Sequence, residues 1–296
     1  MDSRLRKHPL GYWEIENKPT AEELQKYYAD KYYQEGKGSY ELEYSCDELS
    51  YFNAKLEQRS IVLQRYLSTT SGQPRMLDVG CGEGYALAFF KSRGWATKGL
   101  DFSSAGVASK NPSCLDVLVT GDIFALLKAE IEAGETYDVV WLQNVLEHVI
   151  DPLDLLSSLR RLVAPSGIAV VTVPNDCSIT QRAALSSQHI DNAFWVAPPD
   201  HLTYFDNDSL ANTANQTGWQ CLELLGDFPV DWFLFHPKSN YVRDKSVGKA
   251  AHLARVQIEN LIHAQPTDDV ISFWSAAAKL GLGRDITAFL RPSGSS

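Results

Sequence analysis

The sequence contains no long apolar run, which excludes a membrane-spanning helix. Its purely aliphatic stretches extend over only a few residues, as at residues 168–171, whereas a membrane span needs about 20 apolar residues. Residues 1–18 include basic side chains but no apolar segment behind them, so they do not resemble a secretory signal. We therefore expect a globular protein of the cytoplasm.

Cysteine is scarce and scattered. Five cysteines stand among 296 residues, and no two of them form a C-x-x-C pair. An odd number of separated thiols favours neither a disulfide framework nor a structural zinc site.

Basic residues are outnumbered by acidic ones. The chain has 27 Lys and Arg against 37 Asp and Glu, which gives a net charge of -10. Proteins bind DNA and RNA mainly through Lys and Arg that neutralise phosphates, so we expect no nucleic-acid partner.

The N-terminal part has a helical pattern rich in tyrosine. The pattern extends from Thr20 to about residue 67, with Glu23 placed for a capping box. Nine of the thirteen tyrosines lie between Tyr12 and Tyr66. Their rings could pack this segment onto the rest of the protein or line a ligand pocket, and both roles stay open. We predict that residues 1–70 form a helical lid.

The middle of the chain alternates β-branched runs with amphipathic helices. Strands are predicted at residues 75–79, 97–101, 117–120, 137–142 and 168–173. Helices are predicted at residues 85–93, 104–110, 123–133 and 152–163. Such alternation indicates a doubly wound α/β fold, here with a mostly parallel, seven-stranded sheet.

The pattern becomes irregular after the fifth predicted strand. We predict a long loop region at 174–206, a helix at 207–218, strands at 219–225 and 285–290, and inserted helices at 246–264 and 268–280. The predicted division after the lid is an α/β core at 71–227, a helical insertion at 228–283, and the last strand with the tail at 284–296.

A glycine-rich turn follows the first predicted strand. Residues 76–85 are MLDVGCGEGY, with glycines at 80, 82 and 84 that let the backbone approach a ligand. A dinucleotide fingerprint would have its third glycine where Tyr85 stands, and the turn has no basic residue for a pyrophosphate. A nicotinamide dehydrogenase is therefore disfavoured.

Acidic residues follow the first three strands. Asp78 would attract a cation or accept hydrogen bonds from an amino group, and it would repel phosphate. Asp101 ends the second strand, where an acidic side chain accepts the hydroxyls of a ribose in such folds. Asp122 is placed for an exocyclic amine and Ile123 for an aromatic ring. Together they predict a site for a nucleoside that carries an amino acid.

These segments resemble the class I S-adenosylmethionine-dependent methyltransferases. The motifs DVGCGEGY, GLDFS, GDI and LQNVLEHVIDP occur in order, and the resemblance covers residues 75–225. It implies S-adenosylmethionine as the cofactor, with Gln143 near its methionine end. The other cofactor-binding residues that the resemblance implies are Asp78, Gly80, Cys81, Gly82, Gly84, Asp101, Phe102, Asp122 and Ile123.

Two histidines are candidates for a catalytic base. A hydroxyl acceptor must lose its proton during methyl transfer, and histidine titrates nearest to neutral pH. His148 follows the fourth strand, and His201 lies in PPDHLTYF, which resembles a P-x-x-H-x-x-x-F segment of small-molecule members of the family. We favour His148, while a bracing role for either ring stays open.

We predict no metal ion. Residues 144–148, NVLEH, resemble an E-x-x-E-H cluster of quinone-biosynthesis O-methyltransferases that can hold a divalent cation. Asn144 replaces the first acid, and an amide is a weaker ligand for a hard cation. Glu147 would then orient His148, and a cation on these two residues is the alternative.

The leading hypothesis is a methyltransferase for a small polar acceptor, with methylation at oxygen of a sugar or specialised metabolite. Methylation at nitrogen or carbon is an alternative within the enzymes. A non-catalytic cofactor-binding protein, used for sensing or assembly, is an alternative outside them. The inserted helices could also support a homodimer.

Overall fold

The computed structural model describes residues 2–24, 26–27, 43–67 and 72–294. Strands within these residues are, in chain order, β1 Leu5–Lys7, β2 Trp13–Ile15, β3 Arg75–Val79, β4 Ala96–Asp101, β5 Leu118–Thr120, β6 Tyr137–Gln143, β7 Val163–Pro174, β8 Thr203–Tyr204, β9 Trp219–Leu225 and β10 Asp285–Pro292.

The helices cover both faces of the main sheet. They are α1 Cys46–Tyr66, α2 Tyr85–Ser92, α3 Ala105–Lys110, α4 Ile123–Glu132, α5 Pro152–Leu162, α6 Ile179–Ser186, α7 Asn207–Gln216, α8 Gly248–His263 and α9 Thr267–Lys279. Short 3-10 segments occupy Pro112–Val117, Val230–Phe235 and Lys245–Val247. Among the described residues, no helix combines the length and the apolar content that a membrane crossing requires.

The main sheet has seven strands in the order β5-β4-β3-β6-β7-β10-β9. Neighbours from β5 to β7 are parallel, whereas β10 is antiparallel to both β7 and β9. The predicted doubly wound, mostly parallel fold is therefore confirmed. Parallel strands end at the same edge, so the segments that follow β3, β4 and β6 meet there.

The core has two halves, one on each face of the sheet. Strand residues alternate between them: Leu77 and Val79 face one half, whereas Met76 faces the other. The first half contains leucines of α5 and α7, and the second contains apolar residues of α1, α2 and α9. Each central strand is buried on both faces, as its continuous apolar sequence predicts.

Local capping explains where several helices begin. Ser45 and Glu48 form a reciprocal capping box at the start of α1. Asp151 accepts hydrogen bonds from the backbone of Leu153 and Asp154, and Pro152 occupies the first turn of α5. β7 begins at Val163, five residues before its predicted start. Residues 163–167 continue beside β6 through an irregular pairing. Pro165 and Gly167 lie in this stretch, and they hide the strand pattern in the sequence.

A second, small sheet was not predicted. β1 and β2 form an antiparallel hairpin, and β2 pairs with β8 through Trp13 opposite Tyr204. The hairpin precedes the predicted helical pattern, which begins at Thr20. The prediction of a long loop region at 174–206 is wrong in part, because that region contains α6 and β8. Strands of two or three residues are too short to give a periodic signal. The division into domains stays a prediction.

Helix α3 approaches the glycine turn after β3 very closely. A Cβ atom on Gly106, inside α3, would lie 2.4 Å from the backbone oxygen of Gly82. Gly248, at the start of α8, has no atom within 4 Å of the corresponding position. The two glycines thus form a matched pair, one in a tight contact and one in open space.

We expect Gly106→Ala to lower the free energy of unfolding by about 1–3 kcal/mol, because the backbone of the turn must move. Gly248→Ala should leave it unchanged or raise it by up to about 1 kcal/mol. Urea unfolding of both variants measures the difference. Equal stability of the two variants would contradict the close contact.

Candidate active site

A cavity of about 930 Å³ lies at the carboxyl edge of the main sheet, between the strand ends and the helices α1 and α8. All the predicted site residues line this cavity, although their roles remain predictions. They are Asp78, Gly80, Cys81, Gly82, Gly84, Asp101, Phe102, Asp122, Ile123, Gln143, His148 and His201.

The glycine turn has left-handed backbone at three positions. Gly80, Gly82 and Gly84 have φ angles of 72°, 55° and 76°, a region that glycine adopts without a steric penalty. A Cβ atom on Gly80 would also lie 2.4 Å from Cγ2 of Val145, in the segment after β6. The turn thus requires glycine both for its conformation and for this contact.

Asp101 fastens the end of β4 to the turn. Its Oδ2 accepts a hydrogen bond from the Gly82 amide at 2.8 Å, and its Oδ1 accepts one from the Ser103 amide at 3.0 Å. Burial raises the pKa of Asp101, while these backbone hydrogen bonds oppose the rise. A carboxylate offers about four acceptor sites, so it can also accept hydroxyl groups of a ligand.

Asp78 is a buried carboxyl group beside Asp101. Burial, followed by the charge of Asp101, raises its pKa to about 8. Two buried carboxyl groups at one end of a cavity disfavour phosphate and suit a ligand with cationic groups and hydroxyls. This end therefore fits S-adenosylmethionine, which carries an ammonium, a sulfonium and a ribose.

The rim beside this end is more open. Asp122 is exposed, and its Oδ1 caps α4 by accepting the Ala125 amide at 2.8 Å. Phe102 and Ile123 are half-buried. Asp122 thus has a structural role as a helix cap in addition to its predicted role toward adenine.

The two candidate histidines lie side by side, with ring centroids 4.9 Å apart. The amides of Leu202 and Thr203 both donate to the backbone oxygen of Glu147, at 2.8 and 3.1 Å. The loop that contains His201 is therefore fastened to the segment that contains His148. Pairing of β8 with β2 holds the same loop from its other side.

His201 has a carboxylate partner that the sequence analysis missed. Its Nδ1 lies 3.3 Å from Oδ2 of buried Asp176, and Oδ1 of Asp176 accepts a hydrogen bond from Arg284 at 2.9 Å. Burial alone would raise the pKa of Asp176, but Arg284 and His201 bring it below the ordinary value. Asp176 follows the end of β7, which was a signal for it, whereas Arg284 directly precedes β10, far away in the sequence.

His148 is held by a backbone carbonyl. Its Nδ1 lies 2.6 Å from the oxygen of Asp200, which can only accept, so Nδ1 must donate and Nε2 is left as the basic nitrogen. Nε2 lies 3.6 Å from Oε1 of Glu147. Asn175, directly after β7, donates to the backbone oxygens of Gly281 and Gly283 and has a structural role.

Glu147, His148 and His201 could together hold a metal ion. One ligand atom from each lies within 4.8 Å of the others. Glu147 is buried, and burial raises its pKa well above the ordinary value. Asn144 has a φ of 53°, a left-handed conformation that asparagine tolerates better than glutamate, so its position also has a backbone explanation. The absence of a metal ion stays a prediction.

The described part of the predicted lid reaches the cavity. Ala21, Leu24, Tyr44 and Tyr51 are among the lining residues, and the Tyr44 hydroxyl donates to Glu83 at 3.0 Å. Most of the remaining tyrosines of this segment fall at 28–42, outside the described residues. The lid function therefore stays a prediction.

Comparison with known proteins gives consistent results. A family model described as a methyltransferase domain matches residues 39–224. The ubiquinone biosynthesis O-methyltransferase of Burkholderia multivorans is 28% identical over 155 residues, which cover 51% of this chain and 67% of that protein. The protein of the same description from Burkholderia ambifaria is 29% identical over 156 residues, with the same two coverages.

Two solved structures share the fold. A SAM dependent methyltransferase from Archaeoglobus fulgidus has a TM-score of 0.50 at 18% identity and covers 90% of this chain and 98% of its own. The plantazolicin methyltransferase BpumL in complex with SAH has a TM-score of 0.51 at 13% identity, with coverages of 92% and 94%. At such identities the likeness concerns the fold alone.

We expect the affinity for S-adenosylmethionine to rise between about pH 6 and pH 7.5, by up to about ten-fold per pH unit. Below a pKa of about 8 the Asp78 carboxyl group is mostly protonated, and a cationic ligand must displace that proton. The α-amino group of the ligand stays protonated over this range, because its ordinary pKa is about 7.7–8.0.

Calorimetric titration in two buffers of different ionisation enthalpy measures both the affinity and the released proton. Asp78→Asn is the matched variant, and it should lose most of the pH dependence. A wild-type affinity that does not change with pH would contradict the assignment of Asp78.

Proposed function

The chain belongs to the class I S-adenosylmethionine-dependent methyltransferases, and we propose that it methylates an oxygen atom of a small polar acceptor. The observation that carries this proposal is the His201–Asp176–Arg284 chain, whose His201 and Arg284 line the same cavity as the glycine turn. A hydroxyl acceptor requires a base, and this arrangement supplies one.

The cofactor provides a methyl group on a sulfonium sulfur. Residues of this chain that would hold it are Asp78 and the glycine turn at the amino-acid part, and Asp101 at the ribose. The apolar side chains of Phe102 and Ile123 would contact the adenine. Cavity walls that limit water around the acceptor and hold its oxygen in line with the sulfonium methyl group would favour the displacement.

We infer that His201 is the general base and that Asp176 positions it. If Nδ1 of His201 donates to Asp176, Nε2 is free to accept the hydroxyl proton as the new carbon–oxygen bond forms. Asp176 then stabilises the imidazolium, and Arg284 keeps Asp176 in place and ionised. His148 is the second candidate, because its Nδ1 is held by the Asp200 carbonyl, which leaves Nε2 as the nitrogen that could accept a proton, and because the two rings are adjacent.

The main alternatives are methylation at nitrogen and at carbon. An amine can arrive deprotonated and needs little help from a base, so the carboxylate-supported histidine favours oxygen. The described O-methyltransferase activity of the Burkholderia relatives also supports oxygen. Within this proposal, the acceptor is a sugar or another specialised metabolite.

Two measurements test the function. Calorimetric titration should detect binding of S-adenosylmethionine but not of NAD. Incubation of metabolite extracts with cofactor carrying a deuterated methyl group, followed by mass spectrometry, should then identify products and the atom that is methylated. Cofactor binding without any labelled product would favour the non-catalytic alternative.

We expect His201→Ala to lower kcat by about 10²–10⁴-fold, which is the usual contribution of a general base. Asp176→Asn should lower kcat less and change its pH profile, because it acts through His201. The affinity for S-adenosylhomocysteine should stay within a few fold. The control is His236→Ala, an exposed histidine that does not line the cavity.

Three results would contradict this base. Loss of activity in His148→Ala but not in His201→Ala would transfer the role to His148. Normal activity of both variants would favour an amine acceptor. An unchanged pH profile in Asp176→Asn would show that Asp176 does not position the base.

Chelation separates the base from the metal alternative. We expect the wild-type enzyme to keep its activity after dialysis against EDTA, because Asn144 stands where the resembling cluster has an acid. Loss of activity with EDTA and recovery with a divalent cation would instead identify Glu147, His148 and His201 as metal ligands.

A further inference from the structure

Residues 13–18 lie against both of the segments that carry the candidate histidines. They consist of β2 and the three residues after it, and we call them the N-terminal strap. The sequence analysis assigned them only to the predicted lid. The match to the methyltransferase family begins at residue 39, so the strap lies outside it.

The backbone of the strap is bonded to the loop that contains His201. The amide of Ile15 donates to the backbone oxygen of Leu202 at 3.0 Å. Leu202 directly follows His201, and its own amide donates to the backbone oxygen of Glu147 at 2.8 Å. The peptide groups of Leu202 therefore connect the strap on one side to the His148 segment on the other.

The side chain of Lys18 connects the strap to the His148 segment directly. Its Nζ donates to the backbone oxygen of Ile150 at 2.7 Å and lies 2.7 Å from Oε2 of Glu14. Ile150 lies two residues after His148 and lines the cavity. The strap, the His201 loop and the His148 segment are thus bonded pairwise, and the Lys18 ammonium forms one of the three connections.

The charge of Glu14 does not by itself explain Lys18. Glu14 is buried, and its Oε1 lies 2.9 Å from Nε of Arg6, so an exposed arginine already supplies a counter-charge. The Lys18 side chain is only 18% exposed, and an ammonium withdrawn from water is unfavourable unless its donors are paired. What Lys18 adds to the Glu14–Arg6 pair is the bond to the Ile150 carbonyl.

The geometry of both histidines depends on how these segments are held together. Nδ1 of His148 lies 2.6 Å from the backbone oxygen of Asp200, on the His201 loop, and the two ring centroids are 4.9 Å apart. A shift of one segment against the other would break the bond that selects the His148 tautomer. Displacement of a catalytic group by about 1 Å can cost about 10²-fold in rate.

We propose that Lys18 is a positioning residue for the catalytic base, which it holds in place through the Ile150 carbonyl, with Glu14 orienting its ammonium. This inference rests on the proposed methyltransferase function. It extends that function, because it makes the strap, which lies outside the family match, a part of the catalytic arrangement. Lys18 itself acts on the backbone and contacts no reactant.

The first test observes the histidine rings and needs no methyl acceptor. Long-range proton–nitrogen NMR spectra are recorded on 15N-labelled protein saturated with S-adenosylhomocysteine, and His148→Ala and His201→Ala assign the two rings. Lys18→Met should shift the ring nitrogen signals of His148 and His201, because ring nitrogens report tautomer and hydrogen bonding. Lys18→Arg should return both signals toward the wild-type positions, since a guanidinium can also donate to a carbonyl and a carboxylate.

The second test uses the acceptor that the labelled-methyl experiment identifies. Lys18→Met should lower kcat by about ten-fold or more, because the base is misplaced. The KM for S-adenosylmethionine should stay within about two-fold, and Lys18→Arg should restore most of kcat.

The matched control is Arg6→Gln. It removes the other cationic partner of Glu14 and leaves the Ile150 bond in place, so it should change neither the ring signals nor kcat. Thermal unfolding checks that each variant is folded. If Lys18→Met is unstable, the double variant Glu14→Gln with Lys18→Met removes the same connection without leaving a buried carboxylate short of a partner.

Unchanged histidine signals in Lys18→Met would overturn the inference, as would an unchanged kcat or an equal loss of kcat in Arg6→Gln. Binding of S-adenosylhomocysteine is measured first by calorimetry. Absence of that binding, or full activity of both His148→Ala and His201→Ala, contradicts the proposed function itself. Loss of activity in a histidine variant together with normal behaviour of Lys18→Met contradicts only the role of the strap.

Discussion

The hydrogen bond between the Gly82 amide and the Asp101 carboxylate is the constraint on which the site depends. It joins the turn after β3 to the end of β4, and it fixes the left-handed conformation of the turn. In that conformation Gly80 makes room for Val145, so the segment after β6 can continue toward Glu147 and His148. Glu147 in turn anchors the loop of His201 through its backbone oxygen. The glycine turn and the two candidate histidines are thus parts of one connected arrangement.

The two ends of the cavity differ in charge for physical reasons. The carboxyl edge of a parallel sheet receives Asp78 and Asp101 directly from the strands, and these groups suit a cationic ligand. The opposite wall comes from α1 and α8, which contribute cations at helical spacing.

The sequence predicted the features that depend on neighbouring residues along the chain. The main-sheet strands and the glycine turn have strong local patterns, and Asp78 and Asp101 follow directly from strand ends. The features that it missed depend on packing between distant segments. In the sequence, Arg59 and Arg255 resemble ordinary solvated residues of a helix, and only the packing of α1 and α8 places them at the cavity. The contact of Asp176 with Arg284 likewise exists only in the folded protein. The hairpin of β1 and β2 was too short to produce a pattern.

The position of β10 determines when this protein can complete its fold. β10 is the last strand of the chain, but it lies between β7 and β9, which do not pair with each other. During synthesis, both of these strands therefore keep an open edge until β10 leaves the ribosome. The half of the sheet that carries the glycine turn can assemble from earlier, more local contacts. The wall with Arg284 and Asp285 forms only afterwards, so a nascent chain completes the end with Asp78 and Asp101 first. Its open edges need protection from aggregation in the interval.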